Sequence, residues 1–342
     1  MKHLFRKGGI DIFRHKHCRW LLCLCALLWF VALIGTAAAQ EPWPNKPIRL
    51  IVTSQAGGPS DIAARIIGDR LWKVLGQAVI IDNRGGANGI VGTQALAAAA
   101  PDGYTIGMIQ AGLAINPSLY DRVPYDPIRD FEHITQAISV PNVLVVHPSF
   151  TVNSVADLVS AGKARSGEIP FASAGVGSSG HLALELLQAS SKARYNHVPF
   201  KGGGPAIGSL LSGEVKALFS LALVSMPHVR SGKLRALAVT SAKRSAVVPE
   251  LPTISESGYP GFDVTGWFGL IAPKNTPGPI LARLHDEVVQ VLNTPETREL
   301  LRNQGADVVG STSAEWRSFI RHETEKWADV IKSAGIGKQT IK

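Results

Sequence analysis

The stretch Ile48-Arg49-Leu50-Ile51-Val52-Thr53-Ser54-Gln55-Ala56-Gly57-Gly58-Pro59-Ser60-Asp61 decides the fold class. Its first six residues are a short apolar, β-branched run, which predicts a buried strand. Gly57, Gly58 and Pro59 make a turn. Beyond Asp61, apolar residues fall at Ile62, Ala63, Ile66, Ile67, Leu71, Val74 and Leu75, the spacing of one helical face. The unit is therefore strand, glycine turn, helix. It recurs downstream, with a strand over 79–81, a helix over 90–100 and a strand over 104–109 ended by Ala111-Gly112. Such alternation with short loops predicts an α/β fold with a mostly parallel sheet and covering helices.

The alternation restarts near residue 143. Residues 143–146, 171–173, 196–199, 217–220 and 234–239 read as strands, and residues 154–165, 181–190 and 204–212 as helices. A second α/β domain inserted into the first accounts for this order. Residues 265–272 then return the chain to the first domain, which closes with helices over 280–292, 295–304 and 314–334. Ser311, Thr312 and Ser313 offer N-caps for the last of these. The expected division is a leader over 1–39, a first lobe of 40–142 with 265–342, and a second lobe of 143–264.

The leader reads as a secretory signal. Residues 1–19 are basic, residues 20–35 are an uncharged apolar run, and Ala37-Ala38-Ala39 follows. That three-part order predicts cleavage after Ala39, and the apolar run is short for a membrane span. The formal net charge of the whole chain is +9. Lys2, Arg6, Lys7, Arg14, Lys16 and Arg19, against the single acid Asp11, place more than half of it in the leader. The remainder is too weakly basic for a phosphate-binding surface, so no nucleic-acid partner is expected. All three cysteines (Cys18, Cys23, Cys25) lie in the leader as well. A mature chain without thiols has no disulfide, no cysteine nucleophile and no thiolate metal site, which is compatible with an oxidising compartment.

Two loops follow strands and open helices: Gln55 to Asp61, and Ala174-Gly175-Val176-Gly177-Ser178-Ser179-Gly180-His181. Each presents free backbone N–H groups at a helix N-terminus, where the helix dipole favours an anion. One such loop in each domain gives two anion-accepting surfaces across a cleft, an arrangement that suits a carboxylate. Tight strand-to-helix turns of purely structural purpose have the same composition. Asp61 fits either a cap for its own helix or a role in ordering the loop around a ligand. His181 reads as a packed turn residue or a ligand contact, and Trp267-Phe268 as a cleft wall or core.

Sharper motifs fail. Gly175-Val176-Gly177-Ser178-Ser179-Gly180 has dinucleotide-loop spacing, but no acid ends the next strand at Asn196-His197-Val198 to hold a ribose. No nucleophile elbow occurs there, Gly202-Gly203-Gly204 lacks the lysine of a phosphate loop, and the ten histidines show no metal spacing. These absences argue against an enzyme, a cofactor and a metal.

Further stretches carry a family resemblance. They include Trp43-Pro44-Asn45-Lys46-Pro47-Ile48-Arg49, Gly57-Gly58-Pro59-Ser60-Asp61 with Arg65, and Pro101-Asp102-Gly103-Tyr104-Thr105. His197-Val198-Pro199-Phe200-Lys201-Gly202-Gly203, Leu251-Pro252-Thr253 and Trp267-Phe268-Gly269-Leu270 follow. Their order resembles the tripartite tricarboxylate transporter substrate-binding family, also called the Bug family. The resemblance implies a two-lobed periplasmic binding protein-like II fold, with two mostly parallel or mixed sheets, flanking helices and two crossovers. It implies hinge closure on a small carboxylate, delivered to transporter membrane subunits; the mature receptor is expected to be a monomer. A ligand-sensing role for a sensor kinase is the first alternative, and an exported enzyme of unknown type the more distant one. The implied ligand contacts are Ala56, Gly57, Gly58 and Asp61, with Ala111 in the loop 110–116. In the second lobe they are Ala174, Gly175, Gly177, Ser178 and His181, with Lys201 or Gly202. The chain departs from the pattern at Gln55-Ala56, where a proline is usual, at Phe200 in place of tyrosine, and at Asn83-Arg84-Gly85.

Overall fold

Strand β4 (Phe131–Val146) runs through both halves of a ten-stranded mixed sheet. The computed structural model describes residues 43–333 and 335–340. The expected leader, its cleavage site and its cysteines lie outside the described residues. From Lys46 onward the chain is one contact unit.

The first half of the sheet contains β1 (Ile48–Val52), β2 (Val79–Asn83) and β3 (Thr105–Gln110), with β2 and β3 parallel to β1 on either side. The return strand β9 (Thr265–Pro273) lies antiparallel between β3 and residues 131–141 of β4. At Asn142 the partners of β4 change. Residues 142–146 pair antiparallel with β7 (Ala217–Leu221) and 143–146 with β8 (Arg235–Val239). Beyond β7 lie the parallel strands β5 (Pro170–Ser173) and β6 (Asn196–Pro199). A two-residue strand, β10 (Asp307–Val308), completes the edge of β4. The sheet is thus parallel at its two ends and antiparallel where β4 and β9 carry the chain between its halves.

The helices are α1 (Pro59–Leu75), α2 (Ile90–Ala97), α3 (Gly112–Leu119), α4 (Val155–Ala164), α5 (Ser179–Ser191), α6 (Gly203–Leu211) and α7 (Ala222–Arg230). The closing three are α8 (Gly278–Asn293), α9 (Pro295–Asn303) and α10 (Ser313–Ser333). Local signals set their ends. Pro59 takes the first turn of α1, where no N–H is needed. Gly76 ends it in the left-handed region, its N–H returning to the Trp72 carbonyl at 2.9 Å. At the start of α10 the Thr312 N–H donates to Glu315 at 2.9 Å, and the Glu315 N–H donates to Thr312 Oγ1 at 3.2 Å. This reciprocal box contributes about 1 kcal/mol.

Two helices and half of one strand depart from the sequence reading. Residues 110–116 were expected as loop, yet α3 fills most of that segment; α7 was not expected at all. Each carries an internal proline, Pro117 or Pro227, and stops within a few residues of it. The first half of β4 was also unforeseen. Thr135 and Gln136 within it are buried: Thr135 Oγ1 donates to the Ser311 carbonyl (2.7 Å), and the Gln136 backbone N–H to Ser311 Oγ (3.0 Å).

An aromatic cluster joins the closing helix to the return strand. Trp267 meets Trp316 edge-on at 5.2 Å, and Trp316 stacks on Phe319 at 5.6 Å. Contacts of this kind contribute about 0.5–1.5 kcal/mol each beyond area burial. Gly269 makes them possible, since a Cβ there would collide with the Trp316 ring.

Candidate functional site

A cavity of about 290 Å³ lies where the two halves of the sheet meet. Five helices begin at its wall: the N-cap residues Gly58 of α1, Ala111 of α3, Ser178 of α5, Gly202 of α6 and Leu221 of α7 all line it. The first N–H groups of a helix have no intrahelical acceptor. Of the five N-caps, only Ser178 supplies a side-chain acceptor, so four helices reach the cavity with no side-chain cap. The positive ends of their dipoles add to those donors. Among the described residues, Lys201 is the one charged side chain in the wall, and no carboxylate lines it. The arrangement favours an anion held mainly by backbone groups.

In the first loop, Asp61 stands behind the wall. Its Oδ2 accepts from the Gly57 N–H at 2.8 Å and from Arg65 Nε at 3.1 Å, and the residue is 3% exposed. Burial works to raise this carboxyl, but hydrogen bonds from Arg65 and the Gly57 N–H hold it below its ordinary value. Asp61 therefore orders the turn that presents Gly58 and Pro59 to the cavity.

The second loop is fixed in a similar way. Ser178 Oγ donates to the Gly175 carbonyl at 2.7 Å and accepts from the His181 N–H at 3.3 Å. The Gly177 N–H donates to His181 Nδ1 at 3.1 Å. The buried His181 ring stacks on His197 with centroids 4.2 Å apart, and His197 Nε2 lies 2.7 Å from Ser173 Oγ. Burial first, and the neighbouring His197 second, push the His181 pKa down to about 4, so its ring is neutral. Gly180 lets α5 close on β7, because a Cβ there would collide with the Phe219 carbonyl.

Most polar side chains of the wall are already engaged. Asn142 accepts from Ser179 Oγ (3.1 Å) and donates to the Val264 carbonyl (3.2 Å). Asn88, at positive φ, donates to Asn116 Oδ1 (2.9 Å) and to the Gly177 carbonyl (3.4 Å), linking the two loop regions. Among the described residues, the wall side chains of Gln55, Gln110 and Lys201 make no hydrogen bond within the protein. No group of three or more His, Cys, Asp or Glu among the described residues could hold a metal.

Of the residues expected at the site, Gly58, Ala111, Ala174, Gly177, Ser178, Lys201 and Gly202 line the cavity. Ala56, Gly57, Asp61, Gly175 and His181 do not; Asp61 and His181 serve the loops from behind, at the distances given above. Trp267 and Phe268 are both wall and core. Sequence reasoning missed Asn88, Asn142, Leu221 and Val224. Asn88 had a signal, an asparagine inside a glycine-rich loop, where positive φ is tolerated. The other three become wall residues only through the turn of β4 and the unforeseen α7.

Comparison with known proteins gives a consistent result. A family model described as tripartite tricarboxylate transporter family receptor matches residues 63–336. The protein BugT of Bordetella pertussis is 39% identical over 310 residues, which span 90% of this chain and 95% of that protein. A solved structure of an R. palustris protein with adipate is 35% identical, with a TM-score of 0.82, and covers 87% of this chain and all of that one. The periplasmic binding protein BugD is 34% identical with a TM-score of 0.79, again covering 87% of this chain and all of its own.

Proposed function

The chain belongs to the tripartite tricarboxylate transporter receptor family, solute-binding receptors rather than enzymes, and from that premise we propose that it captures a small carboxylate in the cavity described above. The observation that carries this reading is the convergence of five helix N-termini, four without a side-chain cap, on a cavity with no acid in its wall among the described residues. The adipate in the R. palustris relative supports the same ligand class.

On this reading the chain is exported through the cleavable leader 1–39 and works in the periplasm. Residues 40–142 with 265–342 act as one lobe and 143–264 as the other. The crossovers near Asn142 and Thr265 act as the hinge, which ligand closes by favouring one of two states. The loaded receptor, a monomer, hands its ligand to the membrane subunits of a tripartite transporter. A thermal-shift screen of the purified protein against mono-, di- and tricarboxylates, amino acids and aromatic acids tests the proposal. A ligand that binds only the folded state raises the melting temperature with concentration; a flat response across the panel would contradict carboxylate capture.

A further inference from the structure

A second cavity, of about 170 Å³, shares Trp267 with the first and is bounded by β4, α10 and the start of β9. From α10 it takes Phe319, Glu323 and Lys326, which recur at the spacing of one helical face. From β4 it takes Ser139 and Gln136. Ser139 lies opposite Trp267 and Gln136 opposite Gly269, so both share the face of β9 against which α10 packs. These two residues are three apart, and regular alternation would send them to opposite faces of the sheet. A register shift between Gln136 and Ile138 brings them to the same one. The irregularity thus turns a glutamine inward. Gln136 is 8% exposed, and its carboxamide makes no hydrogen bond among the described residues. A buried amide with nothing to bond is a cost that an occupant of the cavity would remove.

The charges around the cavity are unequally matched. Glu323 is fully engaged: Oε1 accepts from Lys326 Nζ at 2.9 Å, and Oε2 from Trp267 Nε1 at 3.0 Å and Trp327 Nε1 at 2.9 Å. Asp263 has no cationic partner among the described residues, and its one hydrogen bond is accepted by Oδ1 from Thr265 Oγ1 at 3.0 Å. Lys326 balances Glu323, so one negative charge, that of Asp263, is left over. We propose that this second cavity binds a small primary ammonium ion. Such an ion brings N–H donors and a positive charge. The wall offers Asp263 Oδ2, the Gln136 carboxamide oxygen and the Ser139 hydroxyl as unengaged acceptors, and the Phe319 ring for the cation and its alkyl body. A bare metal ion fits less well, because it needs several oxygen ligands at about 2.0–2.6 Å and the wall has one free carboxylate. Asp263, Thr265, Phe319 and Lys326 are half-buried and give access from solvent, while Gln136, Trp267 and Glu323 are buried. Apart from Trp267, no residue of this wall lines the first cavity, so the proposal stands independently of carboxylate capture.

The test is isothermal titration of the purified protein with propylammonium chloride, compared at matched ionic strength with tetramethylammonium chloride and calcium chloride. Propylammonium should bind at a single site. Asp263→Asn should weaken it about tenfold or more, the loss expected when a charged hydrogen bond becomes a neutral one. Gln136→Met keeps the length of the side chain and removes its acceptor. It should weaken propylammonium roughly three- to tenfold while leaving the melting temperature of the free protein nearly unchanged, because the carboxamide has no protein partner to lose. Tetramethylammonium has the charge without the N–H donors and should bind at least about tenfold more weakly. The proposal is overturned if propylammonium shows no saturable binding, if Asp263→Asn binds it as the wild type does, if tetramethylammonium binds equally well, or if calcium takes the site in its place. A carboxylate that binds the wild type should keep its affinity within about threefold in Asp263→Asn, so the two readings stand or fall separately.

Discussion

The backbone N–H of Gly177 donates to Nδ1 of His181 across 3.1 Å, and this single bond ties the cavity loop to the helix that it opens. It also sets the tautomer. Nδ1 is an acceptor, so the ring proton sits on Nε2, 3.6 Å from Glu185 Oε1. A second proton has no place at Nδ1 without breaking the loop contact.

Acid should therefore weaken the fold through this residue. Above about pH 6.5 His181 is neutral in both the folded and unfolded chain, and its contribution is constant. Between about 6.5 and 4 the unfolded chain takes up a proton that the folded protein refuses, so stability falls as pH falls. His197 and His133 are also depressed by burial and act in the same direction. His181→Asn should lower stability at pH 7 by about 1–3 kcal/mol through lost packing. It should also flatten the acid slope, removing up to roughly 3 kcal/mol of the loss between pH 7 and pH 4. Urea unfolding at the two pH values, wild type against variant, measures the difference.

Asp61→Asn removes the charge that gathers the Gly57 N–H and Arg65. The expected cost is about 1–2 kcal/mol of stability at pH 7, with a loss of affinity because the turn presenting Gly58 is less ordered. The stability difference should shrink as pH falls through the depressed Asp61 value, since the wild-type carboxyl then protonates as well. Thermal melts from pH 7 to pH 3 would show the two curves converging.

Ser178→Ala removes the one side-chain N-cap at the cavity and its bond to the Gly175 carbonyl. A loss of about 1 kcal/mol is expected from the cap alone. Ligand affinity should fall several-fold beyond that of a remote cap removal such as Thr294→Ala, because Ser178 also shapes the second loop. Paired melts and titrations of both variants check this.

The pattern of what was legible follows from where each signal resides. The strand over Ile48–Val52 and the helix after Pro59 are dictated by local periodicity and turn chemistry, and they read correctly. So did the second loop, because glycines and a capping serine announce a helix start. Helices α3 and α7 escaped because Pro117 and Pro227 carry a local signal against helix, while burial of Leu113, Ile115, Ala222 and Met226 keeps these short helices in place. The first half of β4 escaped because Thr135 and Gln136 are polar yet buried, the Thr135 hydroxyl and the Gln136 backbone N–H both meeting Ser311, more than a hundred residues later. Leu221 and Val224 reach the cavity through one of those same elements, α7, so the sequence pointed to an anion but not to the whole of the cavity wall.

Lys201→Met separates the side-chain charge from the helix ends. If backbone donors carry most of the anion, the variant should retain carboxylate binding within about tenfold of the wild type, with weaker salt dependence. A loss of a thousandfold or more would mean that Lys201, and not the helix ends, holds the ligand.

The most direct measurement compares a carboxylate that binds with its uncharged amide, of the same size and shape, by isothermal titration at neutral pH. Capture by the convergent helix ends predicts that the carboxylate binds at least about a hundredfold more tightly than the amide. Equal binding of the two would contradict the account, because the cavity would then recognise shape and apolar surface and not the anion.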